Sequence, residues 1–183
     1  RAFAATDGDV LVFLPGSGEI AAVAGRVGDI APVHRLHGRM RSADQDAVLR
    51  PADARRIVLS TAVGESSLTV PGVRAVVDGG LARVPRLDLG RGLGGLATVR
   101  VSRSAARQRA GRAGREAPGR VYRCWSEADH DRLPAQPEPE IATADLTGFA
   151  LALAEWGDPE GARLALQDPP PAAALTVARQ VLR

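Results

Sequence analysis

An arginine-rich segment near the middle of the chain combines residue types that could bind phosphate. From position 108 to 115 it reads Gln-Arg-Ala-Gly-Arg-Ala-Gly-Arg. Placed on a helix, Gln108, Arg112 and Arg115 fall at i, i+4 and i+7 and project from one face. Two guanidiniums are forked donors for a γ-phosphate, and a neutral amide can orient an attacking water without ionising. The spacing predicts a triphosphate-facing helix; the alternative is a solvated, arginine-rich surface helix.

The basic residues of the chain are of one kind and unevenly distributed. All 24 are arginine. A P-loop needs a lysine that reaches the β- and γ-phosphates, so this chain cannot contain an ordinary Walker A site, and another domain must hold most of any nucleotide. Between Arg100 and Arg123 there are eight arginines and one acid, a local net charge of +7 in a chain of +3. Such a stretch predicts an anion-facing surface, for a phosphate ligand or a nucleic-acid backbone.

Composition excludes several classes of protein. Cys124 is the single cysteine, which rules out an internal disulfide and a multi-cysteine zinc site. No long apolar run or signal-peptide pattern is present, so we expect a cytoplasmic protein without membrane contact. His34 and His37 would lie on opposite faces of a strand, so we predict no metal site. The first residue is Arg1 rather than Met, which indicates an excised fragment.

Short apolar runs alternate with helical patterns, which predicts an α/β domain with a mainly parallel sheet and helices on both faces. A hairpin is predicted over 81–101 from its alternation and its glycine-rich turn. Capping by Ser17 and by a Ser42–Gln45 capping box is expected at two helix starts. The predicted strands span 9–14, 32–36, 56–61, 73–78 and 120–125.

The C-terminal third has a different composition. Three prolines fall within 133–140, which indicates a linker. Beyond it we predict a helix capped by Asp145, a short helix near 160–166 and a final alanine-rich helix. The predicted division is a main domain at 1–132, a linker at 133–141 and a partial helical segment at 142–183.

Three segments resemble motifs of the DEAH-type helicases, in their HrpB-like bacterial branch. Residues 108–115 resemble motif six. Residues 60–70 resemble motif five, usually seen as STNIAETSLTI, and the loop at 15–18 resembles motif four. The resemblance covers essentially the whole chain. It implies a second RecA-like domain with a β-hairpin insertion and the start of a winged-helix domain, from an ATP-dependent RNA or DNA helicase.

The resemblance also implies roles for individual residues. The catalytic residues would be Gln108, Arg112 and Arg115. Nucleotide-binding residues would be Gly64, Glu65, Ser67 and Thr69. Nucleic-acid-binding residues would be Gly16, Ser17, Thr61 and Arg109. ATP and Mg²⁺ would be held mainly by a first RecA-like domain of the same parent chain, so the fragment alone should be inactive. Single-stranded RNA or DNA would be the partner.

Two residues depart from the family pattern. Ala62 stands where an amide is usual, which removes one nucleic-acid contact. Pro71 stands near the position of the acid that holds the ribose. No aromatic residue lies between Gly38 and Ser60 to stack on the base. A non-catalytic basic nucleic-acid-binding module and a degenerate regulatory domain therefore remain alternatives to the helicase fragment.

Overall fold

Two compact units make up the chain. The computed structural model describes residues 1–66, 69–88 and 90–183, with only the backbone of Gly64 and Ser66. The first unit contains residues 1–82 and 98–137, and the second contains 83–97 and 138–183. The second unit thus includes hairpin residues that the sequence placed in the main domain.

Seven strands and seven α-helices are defined in the described residues. The strands are β1 (Asp9–Phe13), β2 (Val33–Leu36), β3 (Ile57–Ser60), β4 (Val73–Asp78), β5 (Leu81–Asp88), β6 (Leu93–Arg100) and β7 (Arg120–Arg123). The helices are α1 (Ser17–Val27), α2 (Ser42–Leu49), α3 (Val63–Ser66), α4 (Arg103–Ala110), α5 (Glu127–Asp131), α6 (Thr147–Glu155) and α7 (Ala172–Val181). Short 3₁₀ turns occupy Phe3–Ala5 and Glu140–Ala142. Among the described helices, none has the length and apolar character to cross a bilayer.

A parallel sheet of order β2-β3-β1-β4-β7 organises the first unit. Successive side chains of a strand point to opposite faces, so β1 supplies both halves of the core. Leu11 and Phe13 belong to one buried cluster, which includes Val48 of α2. Val10 belongs to the other, which includes Ile20 of α1. The predicted α/β fold with helices on both faces is confirmed.

Strand register aligns the ends of the sheet. Leu36 pairs with Ser60, Ser60 with Phe13, and Phe13 with Asp78. Because all five strands are parallel, the segments that leave β1, β2, β3 and β4 emerge at one edge, which we call the carboxyl edge. Ligands of open α/β sheets bind at this edge.

The predicted hairpin is confirmed. Strands β5 and β6 form a separate two-stranded sheet. The carboxylate of Asp88 accepts hydrogen bonds from the backbone N–H groups of Gly90 and Arg91 at 3.0 and 3.2 Å, which fixes the turn. Leu89, which belongs to the predicted alternation, lies outside the described residues. Leu87 packs in the buried cluster of the second unit, which is formed mainly by α6 and α7.

Several predicted helix boundaries are wrong. Ser17 does not cap α1: the N-cap is Gly16, without a side-chain bond. The capping box before α2 does not form, and an Arg41–Asp44 ion pair of 2.9 Å spans that turn instead. The short helix near 160–166 is absent from the described chain. There the Asp158 carboxylate takes two backbone N–H groups and Gly161 adopts a left-handed φ of +67°, both of which compete with a helix.

Side-chain bonds form at the starts of two other helices. Ser126 is the N-cap of α5 and accepts a hydrogen bond from the backbone N–H of Asp129. The N-cap of α6 is Leu146, without a side-chain bond, rather than the predicted Asp145; the Asp145 carboxylate, one residue earlier, accepts a bond from the N–H of Thr147 at 2.8 Å. Both bonds satisfy donors that a helix start leaves without an intrahelical partner.

The arginine-rich segment is held against the sheet by a close backbone approach. Ala113 is buried in the core cluster that contains Phe13. A Cβ built at Gly119 would lie 2.1 Å from the carbonyl oxygen of Ala113 and 2.8 Å from that of Arg74. Only glycine fits here without moving one backbone or the other.

We expect Gly119→Ala to destabilise the domain by about 1–3 kcal/mol, the range for overpacking a well-packed site. The obstructing atoms are backbone, so no side chain can rotate away. Urea unfolding of the chain measures the loss. Gly114→Ala is the matched control, because nothing lies within 4 Å of its Cβ position. A difference between the variants below about 0.5 kcal/mol would contradict the packing argument.

Candidate nucleotide-facing site

Arg109 is a buried residue at the end of α4. Its side chain is 1% exposed, and its guanidinium lies 5.0 Å from the ring centroid of Phe13. Nη1 donates to Asp78 Oδ1 at 2.9 Å and to the Leu81 carbonyl at 3.2 Å, and Nε donates to Glu65 Oε2 at 3.0 Å. Nε and Nη1 are thus bonded inside the fold, and the contact of Arg109 with nucleic acid stays a prediction.

Glu65 links two segments that are far apart in sequence. Its carboxylate, 16% exposed, accepts the hydrogen bond from Arg109, and its backbone carbonyl accepts one from Nη2 of Arg112. Its own N–H closes the first turn of α3 on the carbonyl of Ala62 at 2.9 Å. In the structure the carboxylate of Glu65 is bonded to Arg109, and its predicted contact with nucleotide stays a prediction.

Arg112 is half-buried just beyond α4. Burial, and next the positive charge of Arg115, lower the pKa of Arg112, while the negative charge of Glu65 raises it. Two guanidiniums are thus close enough to repel each other. Like charges held together favour an anion as their common partner.

Gln108 and Arg115 are exposed. Within the described part of the chain, neither side chain makes a hydrogen bond or an ion pair. Both are therefore open to a ligand. Arg115 also lies beyond the helix, between the buried Ala113 and the close backbone approach at Gly119.

The predicted common helix face is wrong. Helix α4 ends at Ala110, and Gly111 caps it with an N–H bond to the carbonyl of Arg107. Gln108 lies in the last turn, while Arg112 and Arg115 lie beyond it. Gly111 ends the helix, so neither glycine of this segment lies in a helix interior. The turn and its contacts, rather than helical periodicity, place the arginines.

The remaining predicted nucleotide-binding residues lie on the segment that follows β3. Gly64 belongs to the backbone of α3, and Thr69 is exposed. Ser67 falls outside the described residues. Their contact with nucleotide stays a prediction.

The predicted nucleic-acid-binding residues Gly16, Ser17 and Thr61 lie along the carboxyl edge. Gly16 and Ser17 follow β1, and Thr61 follows its neighbour β3, with its N–H bonded to the carbonyl of Leu36 at 3.1 Å. Ser17 is exposed, Thr61 is half-buried and Gly16 is buried. Their contact with nucleic acid stays a prediction.

Asp78 is the important residue that sequence reasoning missed. Its side chain is 1% exposed at the end of β4, and Oδ1 accepts from Arg109 and from the N–H of Gly80 at 2.9 Å each. An acid that ends a mainly apolar strand was the available signal. Its partner lies 31 positions away, which no local spacing reveals.

Metal ligands are not concentrated anywhere in the described residues: no group of three or more His, Cys, Asp or Glu side chains could hold an ion. A Mg²⁺ ion would therefore need ligands from a nucleotide or from another domain.

Residues 3–117 match the helicase conserved C-terminal domain family. ATP-dependent RNA helicase HrpB of Escherichia coli (strain K12) is 40% identical over 182 residues, 96% of this chain and 22% of that protein. Probable ATP-dependent RNA helicase DHR2 of Saccharomyces cerevisiae is 40% identical over 164 residues, 82% of this chain and 22% of that protein. This chain spans about a fifth of the length of these relatives.

Solved structures agree. The crystal structure of the Escherichia coli DEAH/RHA helicase HrpB superposes with a TM-score of 0.89 at 38% identity, over 98% of this chain and 24% of that one. A crystal structure of the E. coli DExH-box NTPase HrpB gives a TM-score of 0.86 at 39% identity, over 98% of this chain and 23% of that one. The chain belongs to the helicase conserved C-terminal domain family and resembles the second RecA-like domain of DEAH-type, HrpB-like helicases.

Proposed function

We propose that this chain acts as the second RecA-like domain of an ATP-dependent RNA helicase and supplies two arginine fingers to the γ-phosphate of ATP. The observation that carries the proposal is the pair of guanidiniums beyond α4: Arg112 is held by the backbone carbonyl of Glu65, and Arg115 is exposed. Burial, and next the positive charge of Arg115, lower the pKa of Arg112, and phosphate oxygens bound between the two guanidiniums would relieve their repulsion.

In this proposal each residue has its own task. Arg112, oriented by the carbonyl of Glu65, and the exposed Arg115 bind phosphate oxygens. Gln108 orients the attacking water through its amide. ATP and Mg²⁺ are held mainly by a first RecA-like domain, because this chain has neither a lysine-bearing phosphate loop nor a metal cluster in its described residues. The chain alone should therefore not hydrolyse ATP.

Single-stranded RNA is the nucleic acid along which we propose that the helicase moves. The carboxyl edge presents Ser17 and Thr61 after neighbouring strands, and both hydroxyls can donate to phosphate oxygens. Closure of the two RecA-like domains on ATP would assemble the hydrolytic site and change the grip on RNA together.

We expect Arg115→Ala to reduce ATP turnover by the full-length helicase by about 10³–10⁵-fold, the measured range for loss of an arginine finger. The fold should survive, because the side chain is exposed. Arg115→Lys should restore little, since an ammonium cannot reproduce the forked geometry. RNA-stimulated ATPase kinetics measure both effects.

Arg120→Ala is the matched control for this experiment. Arg120 is an exposed arginine of the same basic stretch, but it lies on β7, past the turn. We expect a modest loss there. Similar losses at Arg115 and Arg120 would indicate general electrostatics and would refute the placed finger.

A second function, binding of nucleic acid without catalysis, is favoured by a separate observation. Six of the eight arginines between Arg100 and Arg123 are exposed. They are Arg115, at the proposed finger position, and Arg100, Arg103, Arg107, Arg120 and Arg123. Such a surface attracts a polyanion whether or not nucleotide is present. Dependence of RNA affinity on a bound ATP analogue distinguishes the two functions.

We expect the chain to bind single-stranded RNA with an affinity that falls steeply as salt rises, because phosphate neutralisation releases counterions. Changing Arg103 and Arg107 together to Ala should weaken binding and reduce the slope of log affinity against log salt by about 1–2. Fluorescence anisotropy over a salt series measures this. The control is Arg26→Ala, an exposed arginine on α1; an equal change in its slope would argue against a localised surface.

A further inference from the structure

We propose that Glu65 is a positioning residue for Arg112: its carboxylate anchors α3 to the buried Arg109, so that its backbone carbonyl holds the Arg112 guanidinium in place. The inference rests on the proposed role of Arg112 at the γ-phosphate. It assigns one task to the carboxylate of Glu65 and another to its backbone carbonyl.

The anchor is rigid on the side of Arg109. That guanidinium is fixed by Asp78 Oδ1 at 2.9 Å, by the Leu81 carbonyl at 3.2 Å and by the ring of Phe13. Asp78 itself ends β4, an interior strand of the sheet, and is 1% exposed. The bond of 3.0 Å from Nε to Glu65 therefore ties α3 to a buried ion pair at the end of β4.

The second half of the linkage returns to the same arginine. Glu65's carbonyl accepts from Nη2 of Arg112, and the backbone N–H of Arg112 donates to the carbonyl of Arg109 at 3.1 Å. The main chain of Arg112 is thus bonded directly to Arg109, and its side chain is connected to Arg109 through Glu65. The bonds among Arg109, Glu65 and Arg112 form a closed loop. Removing the Glu65 carboxylate breaks this loop at one bond and leaves every donor on Arg112 intact.

Charge supports the same role. Arg112 is partly removed from water and lies near Arg115, and both effects disfavour its charge. The nearby carboxylate of Glu65 offsets them. Arg112 can therefore stay close to Arg115 before an anion arrives, which reduces the rearrangement needed when ATP binds.

The test uses the full-length helicase and separates turnover from binding. Glu65→Ala should lower kcat of the RNA-stimulated ATPase by about tenfold to a hundredfold, the cost of misplacing a catalytic group by about 1 Å, with little change in KM. Glu65→Gln, whose amide oxygen can still accept from Arg109, should recover most of that loss. Equal losses in the Ala and Gln variants would contradict the anchor.

Glu116→Ala is the matched control. This exposed carboxylate accepts a hydrogen bond from the N–H of Gly72 at 3.0 Å, close to the same segment, without contacting either arginine. It should leave kcat unchanged. Circular dichroism and thermal unfolding measure the folded fraction of each variant, and kcat is expressed per folded molecule.

A double-mutant cycle decides between positioning and a merely structural role. If Glu65 acts through Arg112, Glu65→Ala should cost little further turnover once Arg112→Ala is present. If the fold-losses of the two single variants multiply in the double variant, the positioning role of Glu65 is overturned, but the proposed arginine fingers are not. An active Arg112→Ala would instead refute the proposed function itself. If Glu65→Ala does not fold, the cycle is run with Glu65→Asp, which keeps the charge but shortens its reach.

Discussion

The buried guanidinium of Arg109 is the constraint on which the candidate site depends. A charge removed from water is tolerated only when it is paired and fully hydrogen-bonded, and removing one partner of such a pair typically costs about 3–5 kcal/mol. Arg109 is paired with Asp78 and Glu65, and it also donates to the carbonyl of Leu81. These partners come from β4, α3 and β5, so one side chain fastens the arginine-rich segment to the elements around it.

Arginines of one short motif consequently have different environments. Arg109 is buried, Arg112 half-buried and Arg115 exposed, in steps of three residues. The gradient follows from the end of α4 at Ala110: a continued helix would have placed these side chains by periodicity, whereas the turn directs them by its own contacts. A buried ion pair at Arg109 and an exposed guanidinium at Arg115 can therefore lie within seven residues without competing for the same partners.

Local patterns in the sequence predicted the sheet, the hairpin and most helices, because alternation and helical spacing are read over a few residues. The pairing of Arg109 with Asp78 and Glu65 joins positions 31 and 44 apart and has no periodic signal. Nor did local spacing predict the end of α4 or the turn after Asp158, where side-chain and backbone bonds outcompeted the helix.

The division of the hairpin gives the chain an unusual connectivity. Residues 83–97 belong to the second unit although both flanking segments belong to the first, so the backbone passes between the units three times. Ending the polypeptide at the proline-rich segment would remove α6 and α7 but retain Leu87, whose apolar side chain packs among them. The second unit is thus made of an insertion, residues 83–97, and an extension, residues 138–183. It can be exchanged intact between proteins only if both pieces are taken together.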